Sequence, residues 1–289
     1  MSNWIERLRR AYARSSSLTK GRGAISLPDT RGRNEPAMGL DFVCNVCGAE
    51  VTDCPLDAID RELPSCPSCG STVRFRSIVH LLSLALFNRS MPLVEFPRDR
   101  SIVGLGLSDW AGYAGPLSKK FSYSNTYFHA PPYLDIAQSV DDRASTCDFL
   151  ISTEVFEHVA PPVSRAFGHA FDLLKPGGHL VLTVPFTNAP GTAEHFPELH
   201  DYRIVQFDDD YVLVNRTADG RYTLHENLCF HGGPGTTLEM RVFCRTDLIK
   251  RLSEAGFGAI RIMDDDAPEW GILHKVPWSL PVLAQRPID

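Results

Sequence analysis

The sequence predicts an α/β protein: a mainly parallel sheet with crossover helices on both faces, a small metal-nucleated module ahead of it, and a β-rich insertion. Three observations carry this. From residue 101 onward, short apolar runs alternate with helical patterns, as consecutive strand–helix–strand units require. Ahead of them stand two tight pairs, Cys44-x2-Cys47 and Cys66-x2-Cys69. Within the α/β part, residues 186–243 interrupt the alternation with three further β-like runs.

At 289 residues the chain can bury one α/β core and a small accessory module. A hydrophobic fraction of 43% with 22% charged residues suits a soluble globular protein. The longest apolar run, 78–87, is too short to cross a bilayer and holds His80 and Ser83. The first thirty residues have no continuous apolar stretch, so no secretion signal is read there and a cytoplasmic location is expected. An organellar transit peptide, equally rich in Arg and Ser, stays open.

The net charge of −6 is unevenly placed. Residues 1–34 hold eight basic residues against Glu6 and Asp29, so this arm carries +6 and the remainder −12. An acidic body disfavours a large nucleic-acid footprint, because phosphates want a basic face. The arm reads as a tail with an amphipathic turn or two; RNA, an anionic surface or its own acidic body are the partners its charge allows.

The chain divides into the basic arm, 1–40; a cysteine module, 41–75; a helical linker, 76–98; and the α/β part, 99–289, with 186–243 as a cover over its sheet. The strands are expected at 101–105, 121–127, 149–152, 179–185, 258–263 and 281–284. Helices fit 73–87, 109–119, 162–174 and 247–255, the last with Thr246 as N-cap and Gly256 as terminator. The three runs of the insertion are 202–207, 211–216 and 221–230, with a hairpin turn at Ala218-Asp219-Gly220. The insertion should lie over the carboxyl edge of the sheet, where open α/β sheets bind ligands.

The spacing of Cys44, Cys47, Cys66 and Cys69 is that of a two-knuckle, four-thiolate zinc site. Gly48 and Gly70 follow each pair directly, where the turn around a metal needs positive φ. Four thiolates close the coordination sphere, so the zinc should be structural. Asp53, Asp57, Asp60 and Glu62 between the knuckles argue for a stabilising or capping ribbon rather than a nucleic-acid grip. Cys54 is left without a role.

The stretch "CDFLISTEVFEHV" (147–159) followed by "AFDLLKPGGHLVLTVPF" (170–186) closely resembles class I S-adenosylmethionine-dependent methyltransferases, a Rossmann-like family of the methyltransferase type 11/12 kind. The resemblance covers about 100–186 and 244–289. It implies a strand-and-glycine opening, here "IVGLGLSD" (102–109), with two glycines where the family has three and Gly104 where an acid is common. It further implies that Gly104 and Gly106 line the methionine end of S-adenosylmethionine. Asn125 and Thr126 would stand where an acid usually holds the ribose, Asp135 and Ile136 beside adenine, and Glu154 close to the cofactor.

"EHFPELHDYRI" (194–204) looks like the stretch after strand five in many small-molecule methyltransferases. Farther on, His225, His231, the run HGGPG and Glu239 crowd a short span. So glycine-rich a run gives up side chains that could pack, which suits close approach of backbone to a ligand; a wide turn is the plainer alternative. A hydroxyl or amine acceptor needs a base near neutral pKa, and histidine provides one. His231 is the first candidate and His195 the second.

The expected activity is methyl transfer to oxygen or nitrogen of a small polar or saccharide-like acceptor. Two rivals stand beside it: an RNA methyltransferase using the ribbon and basic arm, and a repurposed binding protein. The first lacks an Asn-Pro-Pro-Tyr-type motif after strand four; the altered glycine turn favours the second.

Overall fold

The computed structural model describes residues 39–208, 210–233, 235 and 237–288; the basic arm lies outside them, apart from Gly39 and Leu40. A hairpin of β1 (Leu40–Val43) and β2 (Glu50–Cys54) opens the fold, pairing Phe42 with Val51. Helix α1 (Val73–Phe87) follows. The Thr72 side chain caps its start, and Asn88 ends it at φ 53. Then come β3 (Val103–Leu107), α2 (Ala111–Lys120), β4 (Ser122–Thr126), β5 (Cys147–Thr153), α3 (Ser164–Leu173) and β6 (Leu174–Thr183). The insertion contributes β7 (Phe186–Thr187), β8 (Ala193–Glu194), β9 (Asp201–Phe207), β10 (Asp210–Arg216), β11 (Tyr222–His225), β12 (Phe230–His231), β13 (Thr237–Leu238) and β14 (Arg241–Cys244). Helix α4 (Arg245–Glu254), β15 (Gly258–Ile262) and β16 (Val282–Gln285) complete the chain.

Six strands form the central sheet in the order β15-β16-β6-β5-β3-β4. β4, β3, β5 and β6 are mutually parallel, and β16 runs antiparallel between β6 and β15. The fold is thus the mixed α/β, Rossmann-like architecture expected, and each expected strand of this sheet is present. One core joins the cysteine module, α1 and α2 to one sheet face through Phe121, Tyr123, Phe149, Ile151 and Val181. The other packs α3 and α4 on the opposite face over Leu105, Leu150, Leu180 and Leu182. β9, β10 and β11 make a separate antiparallel sheet, turning at Gly220 with φ 86. No described helix is long and apolar enough to cross a membrane.

Three details differ from expectation. Stretch 76–98 is packed core rather than a linker: Ile78, Val79, Leu81 and Leu82 are buried, and so is Arg76. The guanidinium of Arg76 donates to Ser65, Ser71 and the Gly271 carbonyl, at 2.8 Å in each case, which ties the helix to the cysteine module. Helix α4 is capped by Cys244, whose Sγ accepts from the Asp247 N–H at 3.3 Å; Thr246 already lies inside the first turn.

The third concerns the first strand, which runs two residues later than expected, so Gly104 and Gly106 lie within β3 rather than in a turn. Gly104 is in register with Tyr123 on one side and Phe149 on the other, and those rings stack at 6.0 Å. A Cβ on Gly104 would come within 2.1 Å of the Phe149 ring, and one on Gly106 within 2.0 Å of the Tyr123 hydroxyl. Aromatic neighbours on adjacent strands fill what the glycines leave open.

Candidate functional site

Parallel strands end together, so the loops after β3, β4, β5 and β6 gather at one edge. The turn after β3 is Ser108-Asp109-Trp110, with Ser108 at φ 57. Asn125 at the end of β4 holds it: its Oδ1 accepts from the Asp109 N–H and its Nδ2 donates to the Asp109 carbonyl, both at 2.9 Å. The Thr126 hydroxyl donates to the Gly106 carbonyl at 2.7 Å. Asn125 and Thr126 therefore brace the glycine loop. Asp109 is buried and accepts from Tyr113 at 2.8 Å and from Tyr123. Burial pushes its carboxyl up to about 7 against the hydrogen bonds of the two tyrosines.

Asp135 caps the turn at Ala137, its Oδ1 accepting at 2.9 Å. Ile136 is buried in the cluster that holds Leu105 and Leu107, and its carbonyl accepts from His169 Nδ1 at 2.8 Å.

β5 leads into Glu154, at φ 55, and then a 3₁₀ turn, Phe156–His158. Phe156 anchors that turn edge-on against Phe167 at 4.9 Å. Glu154 and Glu157, three residues apart across it, have opposite environments. Glu154 pairs with Arg61 Nη2 at 2.7 Å; burial raises its pKa, but the Arg61 and Arg74 charges overcome this and hold it below the usual carboxylate range. Arg61 also binds Glu62 and donates to the Ser279 carbonyl at 2.9 Å, while Arg74 grips Glu62 through two contacts of 2.8 Å. Glu157 is 0% exposed, and among the described residues neither carboxyl oxygen has a hydrogen-bond partner. Burial, reinforced by the charge of Glu154, pushes its pKa well up. Two carboxyls driven apart in this way are a mark of functional sites.

Around Glu157 stand the imidazoles. His158 Nδ1 donates to the Leu238 carbonyl at 2.9 Å, and burial pulls its pKa down to about 4, so the ring is neutral. Glu239 accepts from His195 Nε2 through one oxygen and from His231 Nε2 through the other, each at 2.9 Å. Burial raises Glu239, yet those two hydrogen bonds bring it down to about 2. The rings of His158 and His231 meet edge to face at 4.6 Å. The insertion supplies His195, His231 and Glu239, and its placement is fixed by Arg241. That buried guanidinium contacts Glu194 at 3.0 Å and donates to the carbonyls of Phe156 at 3.0 Å and Val159 at 2.6 Å.

His231 is the more enclosed of the two candidate bases. Burial lowers its pKa, but hydrogen bonds to Cys229 and Glu239 and the nearby carboxylates push it up to about 10. It keeps its proton at neutral pH and in that state cannot act as a base. Glu157 and His158 entered the sequence reading only within the quoted stretch 147–159, and nothing there pointed to the contacts of Arg61 with Glu154 or of Arg241 with Glu194, each tens of residues away. Of the run HGGPG, Pro234 lies outside the described residues.

In the cysteine module, the Sγ atoms of Cys44, Cys47, Cys66 and Cys69 lie within 4.8 Å of one another. Cys44–Cys69 and Cys47–Cys66 are each 3.7 Å apart. Four sulfurs about 2.3 Å from one tetrahedral ion stand roughly 3.8 Å apart, so the donors fit zinc. The knuckles close as such a site needs: Gly48 and Gly70, at φ 79 and 73, donate to the carbonyls of Cys44 and Cys66. Behind the edge a cavity of about 50 Å³ lies between Arg61, Arg74, Thr183 and Trp278, room for a few waters only.

Fold and edge together define a Rossmann-like methyltransferase architecture. The sequence matches the family described as "Methyltransferase domain" over residues 100–261, and the chain belongs to that family. No curated protein matches the chain in sequence. Among solved structures it is similar to the sugar N-methyltransferase KedS8 from Streptoalloteichus sp ATCC 53650, at 14% identity and TM-score 0.41, over 92% of this chain and 100% of that one. It is also similar to CalS10, an amino pentose methyltransferase from Micromonospora echinaspora, at 13% identity and TM-score 0.40, over 75% and 92%. The CurJ carbon methyltransferase is matched at 14% identity and TM-score 0.40 over 68% of this chain, which spans 51% of that longer one.

Proposed function

We propose that the protein transfers the methyl group of S-adenosylmethionine to an oxygen or nitrogen of a small polar or saccharide-like acceptor. Family membership supports the cofactor. The acceptor class rests on one observation: the insertion closes a buried set of carboxyl and imidazole groups, Glu157, His158, His195, His231 and Glu239, over the carboxyl edge. Such a lining suits a hydroxyl- or amine-bearing molecule and not an apolar one.

The bound cofactor supplies an electrophilic methyl on a sulfonium. The main chain of 106–109, braced by Asn125 and Thr126, holds its methionine end. Asp135 and Ile136 would flank its base, and Glu154 would offer a charge just past the end of β5. The insertion excludes water and aligns the acceptor. His195 takes the acceptor's proton, with Glu239 steadying its imidazolium; His231 orients by donating. Zinc in the four-thiolate ribbon is structural, holding the loop that delivers Arg61.

Calorimetric titration of the zinc-loaded protein with S-adenosylhomocysteine tests this; a flat isotherm ends the reading. One observation favours the rival of a repurposed binding protein, namely that Asn125 and Thr126 are engaged with main chain. Binding of the demethylated cofactor without transfer to any polar acceptor would decide for it.

A further inference from the structure

We propose that Glu157, His158 and His231 form a binding site for a divalent transition-metal ion, distinct from the cysteine ribbon, at the carboxyl edge of the sheet. One ligand atom from each of the three residues falls in a group spanning no more than 4.8 Å. Glu157 Oε1 is 3.5 Å from His158 Nε2 and 3.9 Å from His231 Nδ1. Donors about 2.1 Å from a shared ion lie roughly 3.0–3.5 Å apart, so a small rotation of the side chains completes the site.

The second layer is in place for metal binding. A carbonyl can only accept, so the Leu238 carbonyl fixes the proton of His158 on Nδ1 and leaves Nε2 toward Glu157. His231 donates from Nε2 to Glu239, which His195 holds from its other side, and its Nδ1 stands 3.9 Å from Glu157 Oε1; the ion would displace the proton that Cys229 and the carboxylates hold on this ring. A carboxylate or carbonyl behind each ligating imidazole is how proteins orient metal-binding histidines. The independent pointer to a ligand is Glu157 itself, fully buried, with neither oxygen hydrogen-bonded among the described residues. A carboxyl in that state is expensive unless something is bound to it.

Two imidazoles and one carboxylate suit zinc, manganese, iron(II), cobalt or nickel, and they leave coordination positions open. Resting on the methyl-transfer reading, the open positions face the acceptor, which is then a hydroxylated molecule bound through oxygen and made more acidic by the ion.

Equilibrium dialysis of the zinc-loaded full chain against Co²⁺ should find one cobalt per chain beyond the zinc. Glu157→Gln and His158→Ala should weaken it by about 100-fold or more, and His195→Ala, which removes the imidazole that holds Glu239, by about 10-fold. Circular dichroism shows which variants are folded; the His195 variant keeps the test readable if the others are not. Absence of the extra cobalt in the wild type, or unchanged affinity in the folded variants, overturns the site. If S-adenosylhomocysteine binds and cobalt does not, only this inference falls; if cobalt binds and the nucleoside does not, the methyl-transfer reading falls and the metal site stands.

Discussion

Asp109 sits in the turn after the first sheet strand with its carboxyl sealed between two tyrosines, and its pKa stands at about 7 against an ordinary 3.8. The folded state therefore holds this proton more tightly than the unfolded chain. The stabilisation is complete below pH 3.8 and is lost as pH rises through about 7. At about 1.36 kcal/mol per tenfold change in proton affinity, the gap amounts to roughly 4 kcal/mol. Asp109→Asn has nothing to ionise. Urea unfolding of both proteins from pH 4 to pH 8 should show the wild type losing stability relative to the variant by that order, over that window. Parallel curves would refute the claim that burial outweighs the tyrosine hydrogen bonds.

Gly104→Ala should cost about 1–3 kcal/mol by thermal or urea unfolding, because the new methyl meets the Phe149 ring; Gly104→Ala with Phe149→Leu should recover much of it. Arg61→Ala removes the cation paired with buried Glu154, and about 3–5 kcal/mol of stability should go with it; the doubly substituted Arg61→Ala, Glu154→Gln protein should be less impaired than the single variant. Stripping metal with a strong chelator should release one zinc per chain and lower the melting temperature of the whole protein in one transition, since the cysteine module and α1 share a core with the sheet. His195→Ala should lower kcat more than KM if that imidazole takes the acceptor proton, with the loss shrinking as pH rises.

The sheet was legible because its strands are continuous apolar runs and its helices carry end signals such as Gly256. The thiolate cluster was legible for a different reason: four donors at fixed spacing constrain the chain locally. What escaped was the meaning of Gly104 and Gly106. The sequence shows a glycine but not the partner that makes it necessary, and Phe149 and Tyr123 belong to other strands. His231 illustrates a second limit. Its residue type suggests a base, yet its protonation is decided by Cys229, Glu239 and Glu157, whose places beside the ring only the fold reveals. Arg61 and Arg241 were invisible because a buried arginine reads like any surface cation until its partners are known.

The contact between Arg61 and Glu154 ties the two halves of the molecule in a way neither half discloses. The loop that delivers the guanidinium lies between the two cysteine knuckles, while the carboxylate belongs to the carboxyl edge of the sheet. A chain that never acquires its metal would leave that carboxylate without its nearest cation, with Arg74 alone beside it. Misassembly at the N-terminal knuckles would thus register directly where the ends of the parallel strands gather.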